Sequence, residues 1–124
     1  RDSSVTGVQT CALPIYGNNN TLNFTQTDSG PKTMFTNTNG NSNSITATQS
    51  GTGTHYLDIN LTGNGHSVTT SQSGTGNHAA TIDLTNSGGA ATLNLNQSGS
   101  TGQVYSIQQS CTNAAGCSTT ITQP

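Results

Sequence analysis

Residues 43–51, NSITATQSG, recur as HSVTTSQSG at 66–74 and as ATLNLNQSG at 91–99. The shared Gln-Ser-Gly falls at 49–51, 72–74 and 97–99. A looser Gln-Thr-Asp-Ser-Gly sits at 26–30, and Gln123 closes the series. The first four of these glutamines are 23, 23 and 25 residues apart. A unit of that length cannot bury its own apolar face. It stacks on copies of itself, and what stacks within a chain can stack between chains.

Counting back from each glutamine, every second residue forms a column with strand period. Six before the glutamine stand Asn20, Asn43, His66, Ala91 and Cys117. Four before stand Leu22, Ile45, Val68 and Leu93, with Ile121 read as the fifth member of this aliphatic column. Two before stand Phe24, Ala47, Thr70 and Leu95. The residues between are nearly all Ser, Thr or Asn and belong to the solvent face.

Beyond the Gly a second alternating segment follows. Its inward residues are Leu57, Ile59 and Leu61, then Ala80, Ile82 and Leu84, then Tyr105, Ile107 and Gln109. The first coil is weaker here, with Met34, Thr36 and Thr38. Gly51, Gly74 and Gly99 suit a turn that needs positive φ or close backbone approach.

The pattern predicts an all-β chain, a β-solenoid of about 4.5 strand-turn-strand coils with two parallel sheets facing each other over a thin core. The coils span about 20–42, 43–65, 66–90 and 91–116, with a half-coil at 117–124. A buried amide left unpaired would cost roughly 1–3 kcal/mol. Stacked on its own kind, the column Gln26, Gln49, Gln72, Gln97 and Gln123 donates and accepts along the axis.

Composition agrees. Apolar residues make up 27%, against roughly 45–50% in ordinary globular chains. Disorder normally pairs low hydrophobicity with high net charge, but here charged residues are 5% and the net charge is −2. That balance lacks the basic footprint of a nucleic-acid binder. No apolar run approaches the ~20 residues of a membrane helix, so no membrane insertion is expected.

Residues 1–15, RDSSVTGVQTCALPI, share nothing with the repeat. They resemble translated sequencing-adapter read-through, which implies a non-native or disordered leader. Repeats would then occupy 16–124, any secretion signal would be missing from this chain, and Cys11 would carry no functional weight.

The repeats resemble those of curlin, the subunit of bacterial curli, with its Ser-x5-Gln-x-Gly-x2-Asn-x-Ala pattern. Gln and Gly match at Gln49/Gly51, Gln72/Gly74 and Gln97/Gly99, and Asn and Ala match together at Asn77 and Ala79. The leading Ser is replaced by Asn43, His66 and Ala91. A second inward Gln of the curlin repeat has counterparts in Leu61 and Leu84, and is Gln only at Gln109. The resemblance implies a divergent, extracellular amyloid fibre subunit of a biofilm matrix. Its partners would be copies of itself, a nucleator subunit and an outer-membrane export pore.

Other residues are weighed singly. His55 and His78 lie six after their glutamines, with Gln103 next in that series. A two-histidine metal site there would need further ligands. The preferred reading is a solvent-exposed turn ladder, with no metal and no cofactor. If the two imidazoles stack closely, protonation near pH 6 introduces like-charge repulsion. His66, in an inward column, is read as a spacer with a local hydrogen bond. Cys111 and Cys117, six apart around a Gly-containing loop, either close a disulfide or stay as free thiols, the former fitting an exported protein. Asp58 and Asp83, like Asp28 and Lys32, are read as outward charges that limit sheet growth. No catalytic constellation stands out, and an enzyme is not expected.

Two other functions remain open. The outward Ser44/Thr46/Thr48, Ser67/Thr69/Ser71 and Ser118/Thr120/Thr122 resemble the flat threonine arrays of ice-binding solenoids, which suggests a module for ice or carbohydrate. The chain would otherwise be a fragment of a repetitive adhesin.

Overall fold

The computed structural model describes residues 4–5 and 9–124. The described residues form twelve strands: β1 (Ser4–Val5), β2 (Gln9–Ala12), β3 (Ile15–Tyr16), β4 (Thr21–Gln26), β5 (Lys32–Asn39), β6 (Ser44–Gln49), β7 (His55–Thr62), β8 (Ser67–Gln72), β9 (His78–Asn86), β10 (Ala91–Gln97), β11 (Gln103–Cys111) and β12 (Cys117–Gln123). The even strands from β4 onward, with β1, form one parallel sheet in the order β1-β4-β6-β8-β10-β12. The other parallel sheet runs β11-β9-β7-β5-β2, with β3 also on β5. The chain is a β-solenoid of about 5 turns.

Alternation explains the strands. Each glutamine-ended segment turns every second residue inward, as in β6, where Ile45, Ala47 and Gln49 are buried and Ser44 and Thr46 face outward. The first-sheet strands end in Gln-Ser-Gly, where the chain must turn at once toward the second sheet. Gly51 has φ +86° and Gly74 φ +100°, and a Cβ at either would run into the backbone of the coil above. Only glycine meets both demands without strain. In the first coil Asp28 occupies this place with φ +71°.

Register is carried by the glutamines. Gln26 pairs with Gln49, Gln49 with Gln72, Gln72 with Gln97 and Gln97 with Gln123. The 26-residue step from Gln97 to Gln123 fixes the last strand, and here one sequence expectation is corrected. Ile121 stands over Leu95, not over Leu93; Thr119 takes the place over Leu93. The aliphatic column therefore runs Leu22, Ile45, Val68, Leu93 and then changes to a hydroxyl.

The core is one continuous cluster between the sheets, from Phe24 and Met34 through Ile59 and Ile82 to Leu95. Inward residues of β11 and β12, among them Tyr105, Ile107 and Ile121, are half-buried, because these strands have a neighbour on one side only in this chain.

The leader expected at 1–15 lies partly outside the described residues, at 1–3 and 6–8. Its described remainder does not stand apart from the solenoid. Ser4–Val5 pair with Thr25–Gln26, Gln9–Ala12 with Lys32–Phe35, and Ile15 with Thr38. Ladder bonds are backbone bonds, so the open edge of β5 accepts an extended segment whatever its side chains.

Candidate functional site: buried polar columns beside the turn

The Gln-Ser-Gly turn is flanked by two inward polar columns. One is the glutamine series at the end of each first-sheet strand. Gln26 Nε2 donates to Gln49 Oε1 at 2.8 Å, Gln49 Nε2 to Gln72 Oε1 at 2.7 Å, and Gln72 Nε2 to Gln97 Oε1 at 2.9 Å. The second amide proton reaches across the core to the coil below: Gln49 to Thr33 O at 3.1 Å and Gln72 to Tyr56 O at 2.9 Å. Each central glutamine therefore ties its own coil to both neighbours and one sheet to the other. The ladder does not extend through side chains to Gln123. Gln97 Nε2 turns instead to Ala79 O and Gln103 O, and Gln123 Oε1 is buried without a hydrogen-bond partner.

The second column starts each second-sheet strand: Lys32, His55, His78 and Gln103, paired in register. Here the structure corrects two expectations. His55 and His78 are not a solvent-exposed ladder, being 0% and 1% exposed, and Lys32 is not an outward charge, being 1% exposed. The reason is strand parity. Six after the glutamine has the same inward phase as eight, ten and twelve, the positions of Leu57, Ile59 and Leu61. Lys32 Nζ donates to Gly30 O at 3.1 Å and Gly51 O at 2.6 Å, which uses the carbonyls of the turn. Burial holds its pKa below the usual lysine value.

His55 and His78 stack face to face, with ring centroids 5.1 Å apart and planes within 4°. His55 Nε2 lies 2.7 Å from Ser50 O and His78 Nε2 2.9 Å from Ser73 O. A carbonyl only accepts, so Nε2 carries the proton in both rings. Both Nδ1 atoms are buried without a hydrogen-bond partner. Gln103 adds no metal chemistry to this column, and among the described residues no group of three or more His, Cys, Asp or Glu is placed to hold a metal ion.

Asp28 does face outward, as expected, and is also a turn residue. Its Oδ2 accepts from Gly51 N at 2.7 Å, and this bond holds the carboxyl below the usual range, helped by Thr27 and Lys32. Asp58 and Asp83 do face outward, and Asp58 Oδ1 accepts from Asn60 Nδ2 at 3.4 Å.

At the opposite bend the column Asn20, Asn43, His66 replaces one hydrogen-bond carrier with another. Asn43 Nδ2 donates to Gly63 O at 3.0 Å, and its Oδ1 accepts from His66 N at 2.8 Å. His66 repeats both roles: Nε2 donates to Thr62 O at 3.1 Å and Nδ1 accepts from Ala91 N at 3.2 Å. In the next coils Ala91 and then Cys117 fill the column, and Cys117 is disulfide-bonded to Cys111 with Cα atoms 5.8 Å apart.

The outward face of the first sheet carries three columns of small polar residues. They read Thr21, Ser44, Ser67, Thr92, Ser118; Asn23, Thr46, Thr69, Asn94, Thr120; and Thr25, Thr48, Ser71, Asn96, Thr122. No charged residue interrupts them.

No helix among the described residues is long and apolar enough to cross a membrane. No protein-family model, no curated protein and no solved structure matches this chain.

Proposed function

We propose that the chain is a secreted structural subunit of curli-like amyloid fibres in a biofilm matrix, assembling by templated end-to-end stacking and supporting surface adhesion. The observation that carries this reading is the unbroken register, in which Gln26, Gln49, Gln72, Gln97 and Gln123 stand one above another. A contact set that repeats from coil to coil is the set a second copy would use. A further coil, from whichever chain, would cover the half-buried Tyr105, Ile107 and Ile121. The Gln-x-Gly resemblance to curlin repeats supports the same reading, and with it come a nucleator subunit and an outer-membrane pore as partners.

Thioflavin-T kinetics with and without preformed seeds, joined to fibre diffraction, test it. Seeds that shorten the lag, with reflections near 4.7–4.8 Å and ~10 Å, are expected. A β-rich monomer that never seeds would overturn the fibre reading. It would favour a binding module for ice or carbohydrate, which the uncharged outer Ser/Thr/Asn columns support and which thermal hysteresis at micromolar protein would test.

A further inference from the structure

The column Lys32, His55, His78, Gln103 holds a feature that fibre stacking does not use. Nε2 of His55 is fixed as a donor by Ser50 O, so Nδ1 is the atom left to take a proton. That Nδ1 is buried and faces no hydrogen-bond partner. Directly below in register lies the buried ammonium of Lys32, and directly above the stacked ring of His78. The nearby carboxylate is Asp28, already engaged with Gly51 N and Thr27. Gln103, beyond His78, is neutral.

The geometry rules against a metal as the missing partner. Near-parallel rings 5.1 Å apart present their Nδ1 atoms side by side. One ion bound at ~2.0–2.1 Å to each nitrogen needs the two within about 4.2 Å and converging.

We propose that His55 is an acid sensor: a proton taken at Nδ1 charges a buried column between Lys32 and His78, so the turn at Ser50–His55 opens and coil stacking weakens as the medium turns weakly acidic. The direction follows from linkage. Burial, with Lys32 and His78 adding to it against the Ser50 bond, holds the pKa of His55 below its ordinary 6.5. An unfolded chain then binds a proton that the folded chain refuses. Stability is full above the unfolded value and falls as pH drops through it toward the folded one.

The test is urea unfolding of the full chain from pH 7.5 to pH 5, for wild type, His55→Gln and His66→Asn. Gln stands in the same column at Gln103, and Asn in the column of His66 at Asn43, so both replacements have a precedent in the fold. The wild-type unfolding constant should rise by about tenfold over the range, since one proton gives at most tenfold per pH unit. His55→Gln should remove most of that rise and His66→Asn should keep it. A wild type without the rise, or His55→Gln with all of it, overturns the proposal. Should His55→Gln not fold, imidazole NMR of the wild type decides: a His55 midpoint below 6.5 supports the sensor, and one at or above 6.5 overturns it. The readout is stability of the chain itself, so failure here is separate from failure to form fibres.

Discussion

The glutamine column and the column six residues downstream line the same end of one core, yet they satisfy burial in opposite ways. Gln26, Gln49, Gln72 and Gln97 bond to each other along the axis, so each rung supplies what the next one needs. His55 and His78 bond sideways to carbonyls of their own turns, Lys32 to Gly30 O of its own turn and Gly51 O of the next, and the three side chains meet one another only by stacking or charge. An amide carries both a donor and an acceptor and suits a repeating ladder. An ammonium has no acceptor, and an imidazole with its proton committed sideways has no donor left to pass on. The first column repeats one contact from coil to coil as far as Gln97. The second lets individual coils differ, at the cost of unsatisfied nitrogens.

The sharpest way to break both columns together is the hinge between them. In Gly74→Ala the new Cβ sits at φ +100° and meets the carbonyl of Gly99 in the next coil. Backbone strain alone costs about 1–3 kcal/mol, and the clash adds to it, so a loss of at least about 3 kcal/mol is expected by urea unfolding.

Breaking one column alone should cost somewhat less. Gln72→Leu strips a bond from Gln49, leaves Gln97 Oε1 without its donor, and frees Tyr56 O. The expected loss is about 3 kcal/mol. Adding Gln49→Leu should cost less in that background than in the wild type, because the pair is coupled. Strict additivity in the double-mutant cycle would mean the amides do not act as a ladder.

How much of this was legible in the sequence follows from the same contrast. The glutamine column repeats one residue, so spacing alone gave its register, and its side-chain ladder as far as Gln97; the turn of Gln97 away from Gln123 left no trace in the sequence. The second column keeps its residue only from His55 to His78, between Lys32 and Gln103, and lies two residues before the apolar run Leu57, Ile59 and Leu61. Parity was the available signal: His55 is in phase with Leu57. Ile121 misled for the opposite reason, since matching aliphatic to aliphatic overrode the count back from Gln123, which places it over Leu95. Asp28, two after Gln26, stands where the next coils have glycine, and the positive φ falls on it. The approach of Cys111 to Cys117 was readable as one of two alternatives, because six residues around a turn permit it. The three-dimensional reason lies in the column itself, where Cys117 replaces the Asn43 and His66 that close earlier coils by hydrogen bonds.

That replacement sharpens the comparison at the other bend, where a covalent link stands in for a hydrogen-bond carrier. Closing a loop of sequence separation 6 should be worth about 2 kcal/mol by the chain-entropy account. Reduction, or Cys111→Ser with Cys117→Ser, should lower the urea midpoint accordingly. An unchanged midpoint would mean that β12 is held by its ladder to β10 alone.

The smallest effects test whether inward and outward threonines differ as the columns require. Thr69 and Thr70 are neighbours of the same type on β8, one exposed and one 2% exposed. Thr70 Oγ1 is buried and without a hydrogen-bond partner. Thr70→Val keeps the shape and removes that hydroxyl, so it should stabilise by about 1 kcal/mol. Thr69→Val changes a hydroxyl that already meets water and should stay within about 0.5 kcal/mol of wild type. Opposite behaviour of two adjacent identical residues would be the mark of strict alternation. If Thr70→Val destabilises instead, its hydroxyl has a partner in solution, such as a bound water, and the −2 column is less dry than its aliphatic members Ala47 and Leu95 imply.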